Sequence, residues 1–301
     1  MSKYYYFLYD YVISSNVEID LLTEINEEYV QNKKIITVEI KYNPNFDNRN
    51  SAFSFMHKKN QFLGKLKNCS FCIDYEKFLL TAETSDVYSA VLLLLNIPLS
   101  LLLLQDGKLL LHSSSCIHNE KLYVFIGEKG CGKSTLNVFL SQFDDFHLFS
   151  DDSICIDVVS KKIYPSYNFM KLTKDTEKLF KKIKNNFKIS PTQLKPIKNK
   201  KIYSFNRKQE TFNLNAINII FINRCDEIIK KDIQYDILKI KYLSQNIVGE
   251  SYFSQLQKEF SMDIIKSMVE ENEILTSYIT VPNLAEIDVN MKKRMINHII
   301  A

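Results

Sequence analysis

The sequence predicts an α/β protein, and three observations carry that reading. Short bursts of alternating apolar and polar residues fill positions 1–85. A glycine-rich turn near residue 130 ends an apolar strand and opens a helix, and helical periodicity dominates from Tyr242 onward. The 301 residues therefore divide into a strand-rich N-terminal domain over 1–85, a core over 86–240 and a helical C-terminal extension over 241–301.

In the first segment, "KIITVEIKY" (34–42) and "FCIDYEKFLLTAE" (71–83) alternate as half-buried strands do, and "NPNFDNRNS" (43–51) between them is turn and loop chemistry. The apolar run at 90–105 is interrupted by Asn96, Pro98 and Ser100 and falls short of a clean span of about 20 residues. It predicts a buried helix with a proline kink, and no membrane partner. A strand over 109–111, a polar connection at Asn119 and Glu120, and a strand over 122–126 together predict a hairpin that feeds the glycine-rich turn. Next, Leu136, Phe139, Leu140 and Phe143 repeat at helical spacing. "HLFSDDSICIDVV" is a strand, a break carrying two aspartates, and another strand, and residues 173–201 read as helix then basic loop, with Ser190-Pro191 and Pro196 as breakers. "NAINIIFINR" (215–224) is a continuous apolar strand of the buried type. Near the end, Met291, Met295, Ile296 and Ile299 share a helical face.

Composition bounds the function. At 46% apolar, the chain buries one large core or two modest ones. A net charge of +4 is too small to call for nucleic acid as a partner. The charge is uneven, because residues 174–201 hold ten lysines against Asp175 and Glu177, a local +8. That stretch reads as a solvated lysine-rich face or as a docking surface for an acidic peptide. Six scattered cysteines with no signal peptide before them point to a reducing cytoplasm. Cys69 and Cys72, a lone C-x-x-C pair, read as strand packing.

The chemistry concentrates in "GEKGCGKST": Gly127, Glu128, Lys129, Gly130, Cys131, Gly132, Lys133, Ser134 and Thr135. The first eight fit G-x-x-x-x-G-K-[ST] without a gap, the pattern of a phosphate-binding loop. Backbone amides surround a phosphate only where the chain turns tightly, which needs glycine wherever φ is positive or a β-carbon would intrude. The helix that begins near Lys133 adds its positive end. Lys133 would reach the β and γ phosphates of ATP, Ser134 would ligate Mg²⁺, and Thr135 starts the helix near the α-phosphate. Asp151 and Asp152 follow an apolar strand, where a Walker-B-like carboxylate belongs. If the strand runs through the pair, the two side chains take opposite faces, one for Mg²⁺ and one for a proton. Cys131 occupies a free position of the loop, as a small residue suited to the turn or as a thiol open to redox control.

"LLHSSSC" before the loop, "GEKGCGKST" in it and "LFSDD" after it together resemble the kinase domain of HPr kinase/phosphorylase. The likeness is nearer to the related small kinases that act on peptide precursors, lasso peptides among them, and more distant to ATP-dependent phosphoenolpyruvate carboxykinase. It covers about residues 89–226, through "IYPSYNFMKL" and "NIIFINR". The resemblance implies a P-loop kinase core of that type and adds His112 to the site, with His112, Asp152 and Ser134 as metal ligands and Asp151, Asp152, Lys133 and His112 as the catalytic set. It implies an ATP- and Mg²⁺-dependent kinase that moves the γ-phosphoryl group to a serine hydroxyl of a peptide or protein, working in the cytoplasm and possible as a homo-oligomer. The family's C-terminal signature for phosphorolysis has no counterpart here, and the N-terminal part is not that enzyme's own. Two other readings compete: a nucleotide-binding scaffold without transfer, and a GTPase-like switch suggested by Asn223-Arg-Cys-Asp226. A switch needs D-x-x-G, yet the one glycine after Gly132 is Gly249, with Asn246 three residues before it.

Overall fold

The protein is described by a computed structural model covering residues 3–46, 54–66, 69–181, 189–192, 200–207, 211–225, 227–272, 274–282 and 289–300. It is a mixed α/β chain with two compact units, Met1–Leu109 with Val248–Glu259, and Leu110–Ile247 with Phe260–Ala301.

The first unit holds β1 (Tyr4–Leu8), β2 (Tyr11–Ser15), β3 (Lys34–Tyr42), β4 (Ser54–Lys58), β5 (Gln61–Leu66), β6 (Cys69–Asp74) and β7 (Leu79–Thr84) in one sheet, ordered β1-β2-β3-β7-β6-β5-β4. β3 runs parallel to both β2 and β7, and the other neighbours are antiparallel. Alternation decides which face is covered: Ile36, Val38 and Ile40 of β3 and Leu80, Ala82 and Thr84 of β7 are buried, while their neighbours are more exposed. α1 (Val87–Leu94) packs on β3 and β7, and its start is capped by Asp86, whose carboxylate accepts the Ser89 N–H at 3.2 Å. The expected kinked helix is two helices. α2 (Ile97–Gln105) starts afresh after Leu95 and Asn96, and Pro98 falls in its first turn, where the missing N–H leaves no intrahelical bond unmade. By length and composition alone, Val87–Gln105 is apolar enough to cross a membrane, and most of it is buried inside the protein.

β8 (Lys108–Leu111) carries the chain into the second unit. There follow β9 (Ser113–His118), β10 (Lys121–Ile126), α3 (Lys133–Leu140), β11 (Phe146–Ser150), β12 (Ile154–Asp157), β13 (Lys162–Pro165), β14 (Phe169–Thr173), α4 (Lys174–Lys181), β15 (Ile189–Pro191), β16 (Lys200–Phe205), β17 (Phe212–Asn213), β18 (Ile217–Arg224), β19 (Lys230–Asp232), α5 (Asp236–Ser244), α6 (Gln255–Glu271), β20 (Leu275–Val281) and α7 (Val289–Ile300). The main sheet is ordered β11-β9-β10-β18-β20-β19, with β10, β18 and β20 parallel at its centre. The hairpin that feeds the loop is β9 with β10, turning at Asn119 and Glu120, both of positive φ, so the expected partner strand at 109–111 ends before it. A further correction concerns the helical extension, which omits β20. "LTSYITV" is rich in β-branched residues and completes the parallel centre of the sheet beside β18.

α3 packs against β9, β10 and β11, burying Leu136, Phe139 and Leu140 with Phe125, Ile220 and Ile222 in a core that Met295 and Ile299 of α7 also enter. Val138 on another side of α3 packs with Leu148, Met170, Leu172, Tyr203 and Phe205. That second cluster seats a small sheet, β14-β16-β15, so part of the expected basic loop is strand. The remainder of that stretch, 182–188 with Lys182 and Lys184, and 193–199, lies outside the described residues, as do 47–51 of the expected N-terminal loop.

Candidate functional site

Between Ile126 of β10 and Lys133 of α3, Gly127, Gly130 and Gly132 all have positive φ, 150°, 88° and 104°. Two of them show why. A β-carbon on Gly127 would lie 2.4 Å from the Ile222 carbonyl oxygen of β18, and Gly132 stands in the left-handed region as the residue that starts α3. Glu128, Lys129 and Gly130 are exposed at the tip. Cys131 instead points into the core, 7% exposed, which fits a packing role. The Lys133 ammonium crosses the loop and donates to the carbonyls of Gly127 at 2.8 Å and Glu128 at 3.2 Å. Burial pushes the Lys133 pKa down, with Cys131, Asp151 and Asp152 pulling against that. Ser134 and Thr135 are half-buried in the first turn of α3, and Thr135 Oγ1 meets Thr176 Oγ1 of α4 at 3.2 Å.

β11 ends at Ser150, and the two aspartates lie in a bend beyond it. Asp152 takes φ +72°, a sparsely populated conformation for any residue but glycine. Hydrogen bonds hold the bend: Ser166 Oγ donates to the Asp151 carbonyl at 2.6 Å, and the Arg207 guanidinium to the Ser166 carbonyl at 2.7 Å. Asn137 of α3 donates to the Ser150 carbonyl at 3.1 Å, tying the bend to the loop's own helix.

The bend sends the two carboxylates to different partners. Asp151, 2% exposed, accepts from Ser114 Oγ of β9, and the same hydroxyl lies 3.5 Å from Ser134 Oγ. Burial pushes the Asp151 pKa up, and the bond from Ser114 only partly offsets it. Asp152 forms an ion pair with Lys171 of β14 at 2.8 Å, their side chains 28% and 19% exposed. Burial works to raise the Asp152 pKa, but the Lys171 ammonium, through its charge and hydrogen bond, holds it below the usual carboxylate range.

His112, between β8 and β9, has Nδ1 2.8 Å from the Asp152 carbonyl. A carbonyl only accepts, so Nδ1 carries the proton and Nε2 is left as the acceptor. Burial lowers the His112 pKa, and the Lys133 charge adds to that, which keeps the ring neutral near pH 7.

The structure thus places His112, Asp151 and Asp152 near Lys133 and Ser134 of the loop, while Cys131 turns into the core and Thr135 meets α4. It adds Ser114, Lys171 and Asn246, whose side-chain oxygen accepts the Gly127 N–H at 3.0 Å. Ser114 and Lys171 lie inside the quoted segments "LLHSSSC" and "IYPSYNFMKL", so proximity to the motif was the available signal; Asn246 had none. Asn223 spends its side-chain oxygen on its own neighbour's N–H at 2.9 Å, and Asp226 lies outside the described residues.

Among the described residues, no group of three or more His, Cys, Asp or Glu forms a metal cage. One hydroxyl and one carboxylate joined through Ser114 fit a hard ion such as Mg²⁺, which takes one or two protein oxygens and completes its shell with phosphate and water. The positive-φ glycines and the start of α3 fit the phosphates, since Gly130 and Gly132 leave open space where a β-carbon would stand. No protein-family model matches the chain, and no curated protein matches it.

Proposed function

We propose that this protein is an ATP- and Mg²⁺-dependent kinase that phosphorylates a serine hydroxyl on a peptide or protein, built on a core of the HPr kinase type. The single observation that carries the reading is the split of adjacent aspartates, Asp151 toward Ser134 and Asp152 toward His112 and Lys171, beside a glycine loop that opens a helix. Loop amides and Lys133 would bind the phosphates; Ser134 and Asp151 would hold Mg²⁺. Once held there, the ion would supply charge neutralisation at the phosphoryl group being transferred. A cation there also relieves the cost that burial imposes on the Asp151 charge.

Asp152 is the group for the acceptor's proton. Lys171 keeps it ionised, and His112 fixes its backbone from the other side. This assigns the metal to Asp151, where the resemblance alone suggests Asp152, and it leaves His112 as neighbour to the proton acceptor. The small peptide-precursor kinases that the motifs resemble make a peptide serine the natural acceptor class.

Lys133→Ala tests the reading. Loss of one preorganised charge at the transferring group costs about 10²- to 10³-fold in rate. Transfer from radiolabelled ATP to a serine-peptide library should fall by that much, and titration calorimetry should show weakened MgATP binding. Wild-type protein that binds MgATP but labels no peptide would favour the scaffold reading, and unchanged turnover in the variant would remove the loop from the mechanism.

A further inference from the structure

Asn246 follows α5 and commits each of its hydrogen-bonding groups. Its N–H donates to the Leu243 carbonyl at 3.0 Å, and its side-chain Nδ2 to the Tyr242 carbonyl at 2.8 Å. Its Oδ1 accepts the Gly127 N–H at 3.0 Å, and its backbone carbonyl accepts the His112 N–H at 2.8 Å. A carbonyl can only accept and a peptide N–H can only donate, so the orientation of the Asn246 amide follows from its partners. The next residue, Ile247, pairs with Leu111 as an isolated bridge, which holds the segment beside the strand end that precedes His112.

Gly127 is the tightest point of the loop. Its N–H goes to Asn246, its carbonyl receives the Lys133 ammonium, and its Cα faces the Ile222 carbonyl too closely for a β-carbon. The direction of this peptide sets where the following amides point and where Lys133 rests.

We propose that Asn246 is a positioning residue of the phosphate site, its side chain fixing the first peptide of the loop while its main chain fixes His112. The inference rests on the nucleotide-binding reading above. It also divides cleanly by chemistry: a side-chain substitution removes the arm to Gly127 and leaves the main-chain arm to His112 in place.

In Asn246→Ala, the Kd for MgADP should rise about three- to tenfold, the range for one lost hydrogen bond. The Mg²⁺ concentration for half-maximal transfer at saturating ATP should stay as in the wild type. Asn246→Asp keeps the oxygen that receives the Gly127 N–H but sets a carboxylate against the Tyr242 carbonyl and adds a negative charge beside the phosphates, so its MgADP affinity should fall at least as far as that of Asn246→Ala. If Asn246→Ala does not fold, Asn246→Ser carries the same expectation, because its shorter side chain stops short of Gly127.

Unchanged MgADP affinity in the truncated variant overturns the proposal. So does a parallel shift in the Mg²⁺ requirement, which a general loosening of the site would cause, and so does an Asn246→Asp protein that binds MgADP as the wild type does. Lys133→Ala separates this inference from the reading beneath it. If Lys133→Ala binds MgADP as the wild type does, the nucleotide reading fails. If Lys133→Ala loses affinity and Asn246→Ala keeps it, the role of Asn246 alone fails.

Discussion

Replacing each aspartate of the pair by asparagine should move stability and activity in opposite patterns. Asp151 is buried beside Asp152, and burial raises its pKa, so at neutral pH its charge opposes folding when no metal is bound. Asn keeps the oxygen that accepts from Ser114 and removes the charge. Asp151→Asn should therefore be at least as stable as the wild type in EDTA, while needing far more Mg²⁺ for turnover. Asp152 has the opposite sign, because its lowered pKa means that its charge stabilises the fold at every pH above the ordinary carboxylate range. A hydrogen bond to a charged group contributes about 1.5 to 3 kcal/mol. Asn still accepts from Lys171 and both side chains are partly exposed, so Asp152→Asn should lose only about 1 kcal/mol, or about 2 to 4 °C in melting temperature. Its MgATP affinity should be near wild type, but removal of the proton acceptor should slow transfer by about 10²- to 10⁴-fold. Thermal melts in EDTA, calorimetric titration with MgATP and a radiolabel transfer assay read all three quantities. An Asp151→Asn protein that melts lower in EDTA, together with an Asp152→Asn protein that transfers at the wild-type rate, would refute the division of labour.

Two further substitutions probe the frame of the site. Gly127→Ala puts a β-carbon 2.4 Å from the Ile222 carbonyl in a strand held by partners on both sides, so the loop must give way. Nucleotide affinity should fall more than in Gly130→Ala, where a β-carbon meets nothing within 4 Å; equal losses in the two would show that φ alone matters. In the first unit, burial pushes the Cys69 thiol up to about 11 from 9.0. Because the folded value lies above the unfolded one, the stability present below pH 9 is lost as pH rises toward 11, by about 2 to 3 kcal/mol. Urea unfolding from pH 8 to 11 should show a shallower alkaline decline in Cys69→Ala than in the wild type, and parallel curves would contradict it.

The sequence carried the parts of the fold that depend on local pattern. β3 has the bounds that its alternation predicts, and β18 reads as buried because apolar residues on both its faces leave no other reading. The loop was legible because glycine spacing encodes backbone geometry directly. Elements that depend on distant partners were not. β20 lies between helices whose periodicity masks it; its β-branched residues favour a strand, and its place beside β18 completes it. In the sequence alone the break between α1 and α2 reads as a kink, because Pro98 fits the first turn of a new helix as well as the middle of a bent one.

At the site, the sequence supplied identities and the fold supplied their neighbours. Strand alternation offered a way to separate Asp151 from Asp152, but alternation holds only while φ and ψ stay extended, and the strand ends one residue before the pair. The separation arises instead from the positive φ at Asp152, with three partners brought in from elsewhere: Ser114 from β9, Lys171 from β14 and the imidazole of His112. None of these has a sequence interval that a motif could encode, since each depends on how β9, β11 and β14 are seated around α3. The same holds more strongly for Asn246, which is 119 residues from the glycine it holds. The loop motif states which atoms can face a phosphate. Residues without a motif hold those atoms in place, and that is where variants should separate binding from transfer.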